Sequence, residues 1–394
     1  MLIPISNAPR PYSWGHTDFI ADLEGRTPTG DPEAEIWYGD HPGDPSRVTG
    51  TDERLDAALA RAGERPLPFL LKLLAAGSSL SIQAHPTKAE AVAGFAREEA
   101  AGVPRDASDR LYRDDNHKPE IIVALSDEFR ALVGIRPVAE TRRLLAALGG
   151  TPALARLDAL LADDDAERGV RAALAWALND ATGDDVAELT AALDAAGGAD
   201  AAAVGADAAF ADEITVLRAA ASDFPGDAGL FVALLMNLVT LTRGEALFAP
   251  AGVLHAYQSG LGVELMAASD NVLRGGLTPK HVDVPELLRI VDATPGRAPV
   301  VEPVVSGDHA VTYDPGVEDF VLTRVELTGS PVSADLRGPA IILATRGEIA
   351  VAEREPGRDA VVLAPGQAVY VGGGATGVEM SGTGEAFLAQ AGLG

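Results

Sequence analysis

Two changes of composition, near residues 138 and 228, constrain this chain more than any other feature. Between them Ala, Leu, Asp, Glu and Arg dominate. Apolar residues recur there at three- and four-residue spacing, as in Leu144, Leu145 and Leu148, and again in Val170, Leu174 and Leu178. That period belongs to amphipathic helices, and these residue types favour them. Breaks fall at Gly197-Gly198 and Pro225-Gly226. Outside this block the pattern is different. Runs such as Phe69-Leu70-Leu71-Lys72-Leu73-Leu74 and Glu120-Ile121-Ile122-Val123-Ala124 sit between Gly and Pro turns and read as strands. Short strands and turns return after about residue 240 and continue to the end, which favours β-sandwich or barrel units. The chain is therefore expected to be mainly β with a helical insert. At 394 residues it is long for one core, so two or three domains are expected.

A weak internal echo supports repeated β units. The stretch Gly244–His255 can be laid on Gly366–Gly377, so that Gly244 meets Gly366, Gly252 meets Gly374 and His255 meets Gly377. The second copy then has no ligand-type residue where the first has histidine.

Charge and cysteine content narrow the function. The formal net charge is −27, which argues against nucleic acid or anionic membranes as partners. A phosphorylated substrate would need a local basic pocket. Without cysteine there is no disulfide framework, thiolate metal site or thiol nucleophile. Met1–Ser6 lacks the basic and apolar regions of a signal peptide. The apolar run Leu230–Leu241 is too short to span a bilayer and contains Asn237. A cytoplasmic location is the expectation, and with no exposed apolar repeat to drive assembly, so is a monomer.

Three separated segments suggest one metal site: Ser81-Ile82-Gln83-Ala84-His85-Pro86, Asn116-His117-Lys118-Pro119-Glu120, and Pro250-Ala251-Gly252-Val253-Leu254-His255-Ala256-Tyr257. Gln83 and His85 are two apart in a strand-like run and share a face. A carboxylate and a second imidazole would complete a four-ligand set. Such a set fits a catalytic rather than a structural zinc, because structural zinc prefers thiolates.

The Gly244–Tyr257 stretch resembles the second cupin motif, with Ser259 where Asn is frequent. Gln83-Ala84-His85 resembles the first motif, with Gln in place of its first His. Together with Tyr12-Ser13-Trp14-Gly15, Ala34–Pro42 and the long block Val263–Lys280, the chain resembles the type I mannose-6-phosphate isomerases almost end to end. Departures are Gly275 where Ala is common and Arg243 where Pro often stands. The C-terminal hundred residues match only in general character.

The resemblance implies two cupin-like (jelly-roll) barrels and an α-helical domain. Residues 1–137 and 229–290 would form the catalytic barrel, 138–228 the helical insert, and 291–394 a second barrel without metal. It implies one zinc per chain on Gln83, His85, Glu120 and His255, and a small sugar phosphate as partner. Interconverting mannose 6-phosphate and fructose 6-phosphate moves a proton between C1 and C2 through an enediolate, which a divalent cation stabilises. Arg274 would be the essential active-site arginine, stabilising the enediolate or binding phosphate. Ser81, Lys118, Lys280 and Lys72 are candidates for substrate binding. Glu264 is the candidate base, with His117, His281 and a metal-bound water as competitors. His41 reads as structural, and His16 and His309 as surface residues. Three alternatives share these residues: an isomerase of unphosphorylated sugars, a two-His-one-carboxylate iron dioxygenase, and a non-catalytic sugar-binding bicupin. A fourth ligand in Gln83 argues against the dioxygenase, because it fills a position that oxygen needs.

Overall fold

The computed structural model describes residues 1–197, 208–307, 309–354 and 359–392. Gly198, half of the expected Gly197-Gly198 break, lies outside them. The described strands assemble into two antiparallel ten-stranded sheets. The first is built around His255–Ala267. The early part of this strand pairs with Phe129–Ile135, and its later part lies between Phe69–Ala76 and Glu120–Ala124. The second is built around Ala340–Glu353 and Gly377–Gln390, which pair almost end to end.

Strand alternation decides what faces what. Leu71, Leu73, Ile121, Val123, Val263 and Leu265 join Ile341, Leu343, Tyr370 and Phe387 of the second sheet in one core. Since successive side chains point to opposite faces, Lys72, Glu120 and Glu264 are thrown to the other side. The register agrees: Glu264 lies opposite Lys72, and Met266 opposite Glu120. This is why Phe69–Ala76 is buried along all eight residues yet carries a lysine.

The insert forms helices Val138–Leu148, Pro152–Leu161, Ala166–Asn179, Gly183–Gly197 and Ala211–Asp223. Thr151 and Asp165 cap two of them by accepting the N–H of Leu154 and Arg168. The helical run does not stop at residue 228, as composition suggested. Gly229–Leu235 is a further helix in the same apolar cluster, and the chain switches to the strand Met236–Leu241 inside one apolar run. A short, fully buried run carries no period to distinguish the two. No helix of the described residues is long and apolar enough to cross a membrane.

The sheets also exchange strands, which departs from a division by sequence order. Leu2–Ser6 belongs by sequence order to residues 1–137, but it pairs with Ala368–Val371 and Arg47–Val48 in the second sheet. Val300–Val301 was grouped with residues 291–394, but it pairs with Ala246–Ala249 in the first. Partner choice in a sheet is a long-range matter that composition does not carry.

The internal echo is visible in the structure. At the offset that lays Gly244 on Gly366, strand Ala246–Ala249 falls on Ala368–Val371, and the starts of both long strands coincide at His255 and Gly377. Gly260 and Gly382 also coincide, with φ of 121° and 114°. A Cβ on Gly260 would lie 2.7 Å from the Phe129 ring, and one on Gly382 would lie 2.3 Å from the Glu348 carbonyl oxygen, so both bends require glycine. By the register across the long strands Glu120 corresponds to Ile342, and by that across the shorter neighbours to Ala340.

Leu73→Ala should destabilise the protein by about 2–5 kcal/mol, the cost of a cavity between two sheets. Urea unfolding measures it, and a loss below about 1 kcal/mol would contradict a shared inter-sheet core.

Candidate active site and metal centre

His85, Glu120 and His255 converge, with one ligating atom from each lying within 4.8 Å of the others, and all three are buried. Nε2 of His85 is 3.4 Å from Glu120 Oε1, and Nε2 of His255 is 3.2 Å from Oε2. The far nitrogens settle the tautomers. His85 Nδ1 is 2.7 Å from the Asn271 carbonyl oxygen and His255 Nδ1 is 3.0 Å from that of Val253. A carbonyl only accepts, so each Nδ1 carries the hydrogen and each Nε2 presents a lone pair. Burial, and then Lys118, push the His85 imidazolium down to about 4, so the ring is neutral near pH 7. His85 Nε2 is buried without a hydrogen bond. Burial pushes Glu120 up, but the adjacent Lys118 ammonium outweighs it and holds the carboxyl well below its usual range. Two lone pairs and a carboxylate, buried together beside the Lys118 ammonium, are the donor set of a divalent cation.

Gln83 lies directly across from His255 in the sheet, so the two side chains share a face. Its amide nitrogen donates to Ser81 Oγ at 3.3 Å, which leaves the amide oxygen for a ligand. Gln83, Ser81, Lys72, Lys118, Glu120, His255 and Glu264 line one cavity of about 80 Å³. Lys118 Nζ is 2.6 Å from Glu120, and Lys72 Nζ is 2.9 Å from Glu264 and 3.6 Å from Glu35. Burial raises the Glu264 carboxyl, Lys72 pulls it back, and Glu120 and Glu35 raise it again.

Arg274 and Lys280 line a neighbouring cleft of about 670 Å³ with Arg113, Asp270 and His281. Lys72 and Lys118 sit inside with the acceptors, apart from Arg274 and Lys280. Arg274 is the residue paired with Gln83 in the sheet. Burial, and then Arg113, lower the Arg274 pKa, and its Nε is buried without a hydrogen bond. Burial, Arg274 and Arg113 together lower Lys280.

Sequence reasoning gave no role to Glu35, Trp37, Tyr257, Arg113 or Asn271. Glu35 and Trp37 are two apart on one strand, which was the available signal. Trp37 Nε1 donates to Glu35 at 2.8 Å, and Lys72 lies 5.1 Å from the Trp37 ring centre. Nothing local marks Asn271, whose role depends on a distant loop. His117 is engaged elsewhere, 2.6 Å from Asp319. His41 is buried 3.6 Å from Asp270, and His309 is exposed. His16 is not a free surface residue, because its ring stacks on Phe19 at 3.7 Å.

The mannose-6-phosphate isomerase of Escherichia coli K12 is 34% identical over 398 residues, covering 96% of both chains. The chain belongs to the type I phosphomannose isomerase family. A family model for the type I phosphomannose isomerase catalytic domain matches residues 2–138. The Salmonella typhimurium LT2 mannose-6-phosphate isomerase is 35% identical over 397 residues, again at 96% of each chain. A solved structure of the Salmonella typhimurium enzyme, bound to substrate and zinc, superposes with a TM-score of 0.86 at 33% identity, covering both chains fully.

His255→Ala should lose tightly bound metal while keeping the fold. Metal analysis of the purified, folded variant checks this, and stoichiometric metal would exclude His255 as a ligand.

Proposed function

We propose that the chain is a zinc-dependent aldose–ketose isomerase that interconverts mannose 6-phosphate and fructose 6-phosphate. The convergence of His85, Glu120 and His255 beside a cation-lined cleft carries this reading, and family membership supports it. A zinc ion held by these three residues and Gln83 would supply Lewis acidity for the sugar's carbonyl and adjacent hydroxyl oxygens. The remaining tasks fall to the protein. Glu264 is the base that moves a proton between C1 and C2, and Lys72 holds it in place. Ser81 and Lys118 hydrogen-bond the sugar. Arg274 stabilises the negative charge that develops on its oxygens.

The inner cavity is below the roughly 300–1,000 Å³ of small-molecule pockets, whereas the outer cleft falls within that range. The reacting end of the sugar belongs in the first and its phosphate in the second, against Lys280, Arg274 and Arg113. These three cations favour a phosphorylated substrate over a free sugar. In the same reading the first sheet closes as the catalytic cupin-like barrel of residues 1–137 and 229–290, with 138–228 as the helical domain. The second sheet closes as the metal-free barrel of 291–394, apart from the exchanged strands. The acidic surface suits a small-molecule partner over nucleic acid, and a cytoplasmic monomer completes the picture.

A coupled isomerase assay on metal-analysed protein tests this. Turnover of mannose 6-phosphate is expected, and oxygen uptake is not. Lys280→Ala should lower kcat/KM for mannose 6-phosphate by roughly ten- to a hundredfold, the value of one charge-assisted phosphate contact. Any activity on free mannose should change much less, and equal losses on both sugars would remove Lys280 from phosphate binding.

The acid limb of kcat/KM should report the raised Glu264 carboxyl, since a base works only when deprotonated. Lys72 lowers that pKa, so Lys72→Met should move the limb to higher pH. A limb that stays put would exclude Glu264 as the titrating base.

A further inference from the structure

The helical segment grips the strand pair that carries Gln83 and Arg274. That pair is only two residues long: Gln83 opposite Arg274, and Ala84 opposite Leu273. One more step follows, in which the N–H of Gly275 donates to Ile82 O at 2.8 Å and the N–H of Ile82 donates to Gly276 O at 3.1 Å. Gln83 is also paired with His255, whereas Leu273–Arg274 is an edge strand with no further strand partner among the described residues. The strands are antiparallel, so the residues before Gln83 and those after Arg274 leave at the same end. There the turn between helices Ala211–Asp223 and Gly229–Leu235 meets both. Asp223 Oδ2 accepts the N–H of Ser79 at 2.8 Å, and Asp227 Oδ2 accepts the N–H of Thr278 at 2.9 Å. The other oxygen of Asp227 accepts the N–H of Gly229 at 2.7 Å, which locks the carboxylate to the helix.

The segment so held is under strain. Leu277 has φ of 52°, the one non-glycine residue with positive φ among the described residues, and it is fully buried. Such a conformation persists only where the surroundings over-determine it. Gly276 lies against Gly229, where a Cβ would stand 2.4 Å from the Gly229 Cα. Leu277 is three residues from both Arg274 and Lys280. Neither Asp223 nor Asp227 lines the inner cavity or the outer cleft.

We propose that Asp227 is a positioning residue for the isomerase reaction: by holding the Gly276–Thr278 segment to the helical insert, it sets Arg274 beside Gln83. This rests on the reading of Arg274 given above. It also gives the helical insert a part in catalysis, because the turn between its last two helices fixes the far end of the catalytic strand pair.

A double-mutant cycle on the zinc-loaded full chain tests it. Asp227→Ala should keep stoichiometric metal and the wild-type far-UV spectrum, yet lower kcat on mannose 6-phosphate by roughly ten- to a hundredfold, the scale of a misplacement of about 1 Å. Asp227→Asn keeps one accepting oxygen and should lose less. In an Arg274→Ala background, Asp227→Ala should cost less than about twofold, since the residue it acts through is gone. A loss in that background equal to the loss in the wild type would overturn the proposal, as would an unchanged kcat for Asp227→Ala. Should Asp227→Ala fail to fold, the same cycle with Asp227→Asn decides, and additivity there overturns the proposal equally. An unimpaired Arg274→Ala would instead sink the reading of Arg274 itself. An impaired Arg274→Ala with additive Asp227 effects sinks only the positioning role.

Discussion

Two imidazole lone pairs and a carboxylate, buried and aimed at one point, repel one another, and the first sheet is arranged to hold them there. Removing such groups from water is costly unless a cation compensates. Each is therefore fixed from behind. The Asn271 carbonyl holds His85, the Val253 carbonyl holds His255, and Lys118 braces Glu120. The Asn271 side chain also accepts the N–H groups of Arg113 and Asp114 and donates to the carbonyls of Asp114 and Asn116. One buried residue thus ties His85 to the loop that leads to Lys118 and Glu120.

The second sheet backs the strands that build the site. Its core faces the backs of the strands that carry Lys72, Glu120 and Glu264. Three further ties cross between the units. Leu2–Ser6 pairs in the second sheet, His117 meets Asp319, and Arg243 Nη2 lies 2.6 Å from the buried Glu385. The last contact accounts for an arginine where proline often stands in the family. In the second copy, the positions equivalent to Glu264 and His255 are Ala386 and Gly377, and Glu120 falls on Ile342 or Ala340 according to the neighbouring strand. Ile342 and Ala386 lie in an apolar cluster of their own. The face that opens into a cavity in the first sheet is packed with hydrocarbon in the second, so a buried charge there would have no partner.

Electrostatics divides the site into two compartments. Inside, lysines are matched by carboxylates at close range, Lys72 by Glu264 and Glu35, and Lys118 by Glu120. Outside, burial and then Arg113 lower the Arg274 pKa, and burial, Arg274 and Arg113 lower that of Lys280. A chain of net charge −27 thereby keeps a locally positive cleft.

Much of this was legible in the sequence, because the signals are local. Helical periodicity marks the insert, alternation marks the strands, and glycine spacing marks both copies of the repeat. Gln83 and His85, two apart, announced a shared face, and the three separated blocks named residues that the structure brings together. The end of the insert at Leu235 was not legible, since a fully buried run looks alike as helix or strand. Nor was the exchange of Leu2–Ser6 into the second sheet, which is set by hydrogen bonds to residues more than three hundred positions away. Only the tertiary structure separated Lys72 and Lys118 from Lys280, because a lysine's role depends on which carboxylate reaches it. Sequence determines a side chain's chemistry and the face of the strand it stands on. What lies across from that face is decided by packing between distant segments, which no local pattern encodes.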